Sequence, residues 1–288
     1  MQALLIFFAI LLGILLPFGH NWTFLLRYNL MVMLFFAFLS TRFHWRVVEQ
    51  KHFVLLVFHI LIPVAFFLAL RPFNPDLAMA VFLIGIAPTA AAAPVIAELL
   101  HSRRLEFVTT AVLLSSLVIA FALPLILPLL NIKGVKIEVL TMLKPICIVV
   151  FVPLLVSAAF KGLLPKSVLF FLRYKQLGFL LFLLNVYIAS ANATHYMRYE
   201  NATGLPLILS IFGMVALIGS ILFILGEKLG GKTCPVAASM ALGRKNTMFS
   251  LWLALTYFNP IVALGPMAYI LFQNAFNGWQ MYKVGKAT

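Results

Sequence analysis

Charge is scarce in this 288-residue chain: Asp, Glu, Lys and Arg together make up 10% of it, and only seven residues are acidic. Soluble domains carry about 25% charged residues. With 64% hydrophobic residues and a mean hydropathy of +1.10, a water-soluble fold is excluded. The seven carboxylates are scattered over loops and cannot form the cluster that holds Mg²⁺ in a lipid-modifying enzyme. Neither G-x-S-x-G nor H-E-x-x-H occurs, and no acidic residue stands near the middle of an apolar run, so the chain does not read as an enzyme. No cofactor and no metal site is expected. Two cysteines, Cys147 in an apolar run and Cys234 beside a charged loop, make no disulfide framework. Alternating strands of about ten residues separated by turn signals are missing as well, which excludes an outer-membrane barrel.

What the chain has instead is long apolar runs rich in Leu, Phe, Ala and Met. A bilayer core needs about 20 apolar residues per helical crossing. Ten runs satisfy or approach that: 3–18, 22–40, 53–70, 77–100, 107–130, 137–160, 177–192, 205–225, 233–258 and 261–282. The fold class is therefore an all-α polytopic membrane protein. The formal net charge of +14 is read through its placement and not as a nucleic-acid signal. With the N-terminus inside, 13 of the 21 Lys and Arg fall on the cytoplasmic side, among them Arg42, Arg46, Arg104, Lys175, Lys228 and Lys283. Six fall on the other side, including Lys133 and Lys136, and the remaining two lie inside a run. Both termini are then cytoplasmic, in a plasma or bacterial inner membrane. Glu98 is expected at that same end, in a solvated cluster with Arg103 and Arg104.

Ten crossings divide into two sets of five, 1–132 and 133–288, and an odd number per set inverts the second relative to the first. Transporters built this way bind near the midplane, where interrupted helices of the two halves meet. The fourth run contains Ala87-Pro88-Thr89-Ala90-Ala91-Ala92-Ala93-Pro94, and each proline removes a backbone donor and clashes with the preceding turn. The ninth run, fourth of its half, contains Ala241-Leu242-Gly243-Arg244-Lys245-Asn246-Thr247, where charge sits inside an apolar stretch. Charges near a span centre are costly and commonly mark a pathway.

These segments, with Ala263-Leu264-Gly265-Pro266-Met267-Ala268 and Gln273-Asn274-Ala275-Phe276-Asn277-Gly278, resemble the bile acid:sodium symporter family, whose corresponding patterns read C-P-G-G-T-A-S-N, E-V-G-M-Q-N-S, A-L-P-G-A and W-H-N-x-x-G. The resemblance implies a ten-helix inverted-repeat transporter in which a core domain moves against a panel domain, with broken helices four and nine crossing beside the substrate. It also exposes departures. The family's sodium-binding Ser-Asn corresponds to Ala93 and Pro94, and its Glu and Gln to Ala241 and Lys245, with Arg244 at the neighbouring Met. Its helix-three Gln corresponds to Phe58 or to His59. An ammonium or guanidinium at an ion site repels sodium.

We therefore expect a secondary transporter of a small or amphipathic organic anion that does not use sodium. Arg244 and Lys245, with His59, would stand in for the coupling cations, and protons are the candidate coupling ion. Thr89, Asn246, Thr247 and Asn274 are the expected substrate contacts, at or opposite the two breaks. Asn185, Asn192 and Asn277 read as bonds between helices. A sodium symporter with relocated ion sites, a channel and an intramembrane receptor are the alternative classes.

Overall fold

The computed structural model describes all residues except 1, 41–46, 131–137, 175, 201–203 and 288, and describes 2, 3 and 284–287 by their backbone. The expected placements of Arg42, Arg46, Lys133, Lys136 and Lys175 lie outside the described residues. Every element found among them is a helix: α1 Gln2–Leu15, α2 Leu25–Ser40, α3 Gln50–Leu70, α4 Pro75–Ile86, α5 Ala93–Leu99, α6 Leu105–Leu129, α7 Val139–Leu163, α8 Pro165–Leu172, α9 Gln176–Tyr199, α10 Leu205–Gly230, α11 Pro235–Gly243, α12 Thr247–Tyr257 and α13 Leu264–Ala287. A short 3₁₀ turn, Pro17–Trp22, joins α1 to α2.

Each apolar run of the sequence corresponds to one helix or to an interrupted pair, α4 with α5 and α11 with α12. Five of the helices, α3, α6, α7, α9 and α10, are by themselves long and apolar enough to cross a membrane. The amphipathic α8 is the one helix that matches no run.

Local chemistry sets the ends that matter for the site. Asn74 Oδ1 accepts from Leu77 N at 2.8 Å and Pro75 occupies the first turn, which starts α4. Pro88 forces the preceding Ala87 into extended geometry, φ −52° and ψ 141°, and α4 stops. Pro94 then opens α5. At the other break Arg244 is extended, φ −85° and ψ 108°, and Asn246 Oδ1 caps α12 by accepting from Phe249 N at 3.2 Å.

Helices α1, α2, α7 and α9 pack on one another and α3, α4, α5, α6, α10, α11 and α13 form the second cluster; α12 touches both, and α7 also packs on α6 and α9 on α13. Asn29 Nδ2 donates to Asn185 Oδ1 at 2.7 Å, tying α2 to α9 as a bond between helices. Where α10 meets α11, a Cβ on Gly226 would stand 2.6 Å from Ala238 O, so glycine lets the two backbones approach. All of Leu77–Ile86 within α4 is buried, and this helix is the centre of the core. The outer faces of α1, α3, α7 and α10 expose Phe7, Phe53, Leu155 and Leu209, the surface expected against lipid. Arg104 Nη2 pairs with Glu49 at the start of α3, which joins the α3 and α6 ends.

Candidate functional site

The two interruptions meet. Thr89 and Lys245 form an isolated antiparallel bridge, with Ala90 N donating to Arg244 O and Asn246 N donating to Pro88 O, each at 2.8 Å. Helix ends leave carbonyls without intrahelical donors, and here each broken end is satisfied from outside its own helix. At the end of α4, Leu83 O accepts from Ser250 Oγ at 2.7 Å, and Ala87 O meets His59 Nε2. At the end of α11, Ala241 O accepts from Thr89 Oγ1 at 2.6 Å, and Gly243 O accepts from the Tyr269 hydroxyl. The polar residues around the breaks thus hold two open helix ends in an apolar interior.

Lys245 is fully buried, and its Nζ lies 2.9 Å from His59 Nε2. Of the two α3 residues that the resemblance left open, His59 is the one that faces Lys245. The adjacent Arg244 points elsewhere, because its backbone is extended and successive side chains of an extended segment project to opposite sides. It is 8% exposed, and its Nε and Nη1 have no hydrogen-bond partner among the described residues. It lines a cavity of about 140 Å³ together with Lys245, Asn246, Thr247, Ala90 to Ala92 and Met248. Leu30, Met33 and Leu34 of α2, Phe182 of α9 and Gln273 of α13 close it from the other helices. A cavity near 150 Å³ holds a molecule the size of benzene.

The expected site residues divide around this cavity. Arg244, Lys245, Asn246 and Thr247 line it. The Thr89 hydroxyl is engaged by Ala241 O, and Thr89 borders a much smaller space behind the break with His59, Ser115 and Ala241. Asn274 is half-buried and absent from the lining, which Gln273 joins instead. Gln273 Oε1 is buried and has no partner among the described residues. The positions that correspond to the family's sodium ligands hold the buried methyl groups of Ala93 and Ala241, the ring of Pro94 and the Lys245 ammonium-bearing chain. Among the described residues, no carboxylate lines the cavity or the small space behind it. The side chains at those four positions offer no oxygen ligand.

Comparison with known proteins agrees with the architecture. The model of the sodium bile acid symporter family matches residues 22–198, more than half of the chain, a range that holds the first break and His59 and stops before the second break. No curated protein matches the chain. The apolar helices and this match make it an integral membrane protein of a transporter class. The chain therefore belongs to the sodium bile acid symporter family.

Proposed function

We propose that the protein is a secondary transporter for a compact organic carboxylate, bound in the cavity between the two breaks and carried by alternating access without sodium. One observation carries the reading: the buried Arg244 guanidinium, short of partners, faces a cavity lined otherwise by Lys245, apolar side chains and neutral polar groups. A buried cation without a partner is strongly disfavoured, and a carboxylate supplies the partner in charge-assisted hydrogen bonds. The start of α12 adds its backbone N–H groups beside Asn246 and Thr247, a place suited to negative charge. Gln273 and, one residue on, Asn274 are the α13 candidates for the rest of the ligand, and Thr89 holds the break behind it.

In this reading the halves 1–132 and 133–288 are two inverted five-helix repeats, and α4/α5 and α11/α12 are their broken, crossing fourth members. The cluster built on α4 moves past the α1, α2, α7 and α9 panel in an elevator-like step. Lys245 and His59 occupy the place of the coupling cations, with protons as the coupling ion and both termini in the cytoplasm.

Calorimetric binding of monocarboxylates of two to six carbons to the detergent-purified protein tests the reading. Binding by the wild type and loss by at least tenfold in Arg244→Gln are expected. Equal affinity in the two proteins removes the site.

A further inference from the structure

Gln273, Asn277 and Gln280 follow one another on α13 at spacings of four and three residues, and so share one face of that helix. All three hold buried polar atoms with no hydrogen-bond partner among the described residues: Oε1 of Gln273, both Oδ1 and Nδ2 of Asn277, and Oε1 of Gln280. Gln273 and Asn277 are 5% and 4% exposed. Asn277, expected from the sequence to bond another helix, leaves both ends of its amide unmatched. Buried polar groups are nearly always satisfied, because desolvation without a new bond is unfavourable. Three in a row call for a polar occupant.

The two ends of this face open on two cavities. Gln273 lines the one beside Arg244. Gln280 lines a second, of about 160 Å³, with Glu227, Ser239, Trp279 and Lys283. Seven residues of helix separate the two amides, roughly 10 Å, and Asn277 stands between them. On the adjoining face Phe272 and Phe276 pack against Phe223 of α10, and Trp279 continues the row, so the amides are edged by rings.

The second cavity lies at the α10 end where Lys51 Nζ donates to Gly230 O. That is the end which the charge asymmetry assigns to the cytoplasm. In its lining Lys283 Nζ sits 3.9 Å above the Trp279 ring, and Glu227 borders the same cavity.

We propose that the Gln273, Asn277 and Gln280 face of α13 is a hydrated path between the Arg244 cavity and the Lys283 end of the protein, along which the carboxylate reaches or leaves its site. Neutral amides suit passage: each offers N–H groups to a carboxylate and a carbonyl to its water shell. None carries the fixed charge that would hold the anion in transit. Asn277 is the narrow point between the two cavities. What travels rests on the anion-site reading above, whereas the path rests on the unpartnered amides.

Single cysteines test it in the full chain, in a Cys147→Ala, Cys234→Ala background: Gln273→Cys, Asn277→Cys, Gln280→Cys and, on the exposed side of α13, Ala275→Cys. Vesicles of defined orientation are treated with 2-sulfonatoethyl methanethiosulfonate, a small membrane-impermeant anion. Applied at the Lys283 face, it is expected to modify Gln280→Cys fastest and Asn277→Cys next, both at least tenfold faster than Ala275→Cys. Adding Asn277→Leu to Gln273→Cys is expected to slow labelling of position 273 at least tenfold. Asn277→Cys reacting no faster than Ala275→Cys, or position 273 labelled equally with and without Asn277→Leu, overturns the path; should the double variant not fold, the cysteine series decides alone. Loss of carboxylate binding with the labelling pattern intact sinks the anion site and leaves the path standing.

Discussion

Lys245 Nζ lies 2.9 Å from His59 Nε2, and the same ring nitrogen also meets the carbonyl oxygen of Ala87. An imidazole nitrogen carries either a hydrogen or an in-plane lone pair. As a donor it satisfies Ala87 O and leaves the lysine as the acceptor, an amine. As an acceptor it takes a hydrogen from Lys245 and gives up Ala87 O. The proton content of this pair is therefore tied to the last carbonyls of α4, and through them to the break against which the ligand would sit.

Coupling to protons follows from that link. A carboxylate bound nearby and a proton held by the pair attract one another, and linkage makes the effect reciprocal. Lower pH should strengthen carboxylate binding, and carboxylate binding should take up protons. Lys245→Met should abolish the proton uptake measured by calorimetry in buffers of different ionisation enthalpy. Retention of the wild-type pH profile by the mutant would make the lysine a structural lock.

Sodium should have no effect. Ala93, Pro94, Ala241 and Lys245 offer no side-chain oxygen where the family binds the ion. Uptake into proteoliposomes should be equal in Na⁺, K⁺ and choline media of the same pH. A saturable requirement for Na⁺ alone would point to relocated ion sites.

Arg244 should trade stability for binding. Replacing a buried cation that lacks partners by an apolar chain in Arg244→Met removes an unsatisfied group worth about 1–3 kcal/mol. The ligand-free mutant should melt higher than the wild type and bind carboxylates at least tenfold more weakly. A mutant that is both less stable and unimpaired in binding would mean that the guanidinium serves the fold.

Asn246 separates the cap from the charge. Asn246→Ala loses the bond to Phe249 N and should cost about 1 kcal/mol of stability. Asn246→Asp keeps the cap but sets a carboxylate against the bound anion, so denaturation should return towards the wild-type midpoint while affinity falls. If Asn246→Asp binds as well as the wild type, the start of α12 is not the anion's seat.

Gln273 and Asn274 differ by one position and by about 100° of direction on α13. Gln273→Leu should weaken binding more than Asn274→Leu, because the cavity is lined by the former. The reverse order, read from titration of the two purified variants, would restore Asn274 as the contact.

The interruptions were legible because prolines and adjacent cations are local signals: Pro88 and Pro94 cannot continue a helix, and Arg244 and Lys245 have no place in lipid. The choice between Phe58 and His59, or between Gln273 and Asn274, was not legible. Neighbouring residues on a helix point about 100° apart, and which of them faces a given partner depends on how that helix is rotated against the others. Asn277 shows the same limit, since an amide on an apolar helix reads as a tether until its surroundings are seen to hold no partner among the described residues.

Composition determined the membrane environment and, with the order of residues along the chain, the all-helical class and the places where two helices had to break, because bilayer burial penalises every unpaired backbone group and every charge. Tertiary structure decided which side chains close the broken ends: Thr89 on Ala241, Tyr269 on Gly243, His59 between Ala87 and Lys245. It also decided that the Arg244 guanidinium is left short of partners beside a cavity while its neighbour Lys245, in the same lining, turns its Nζ to His59. These are contacts between residues up to 186 positions apart, set by the rotation and depth of whole helices, and no local pattern in the chain encodes them.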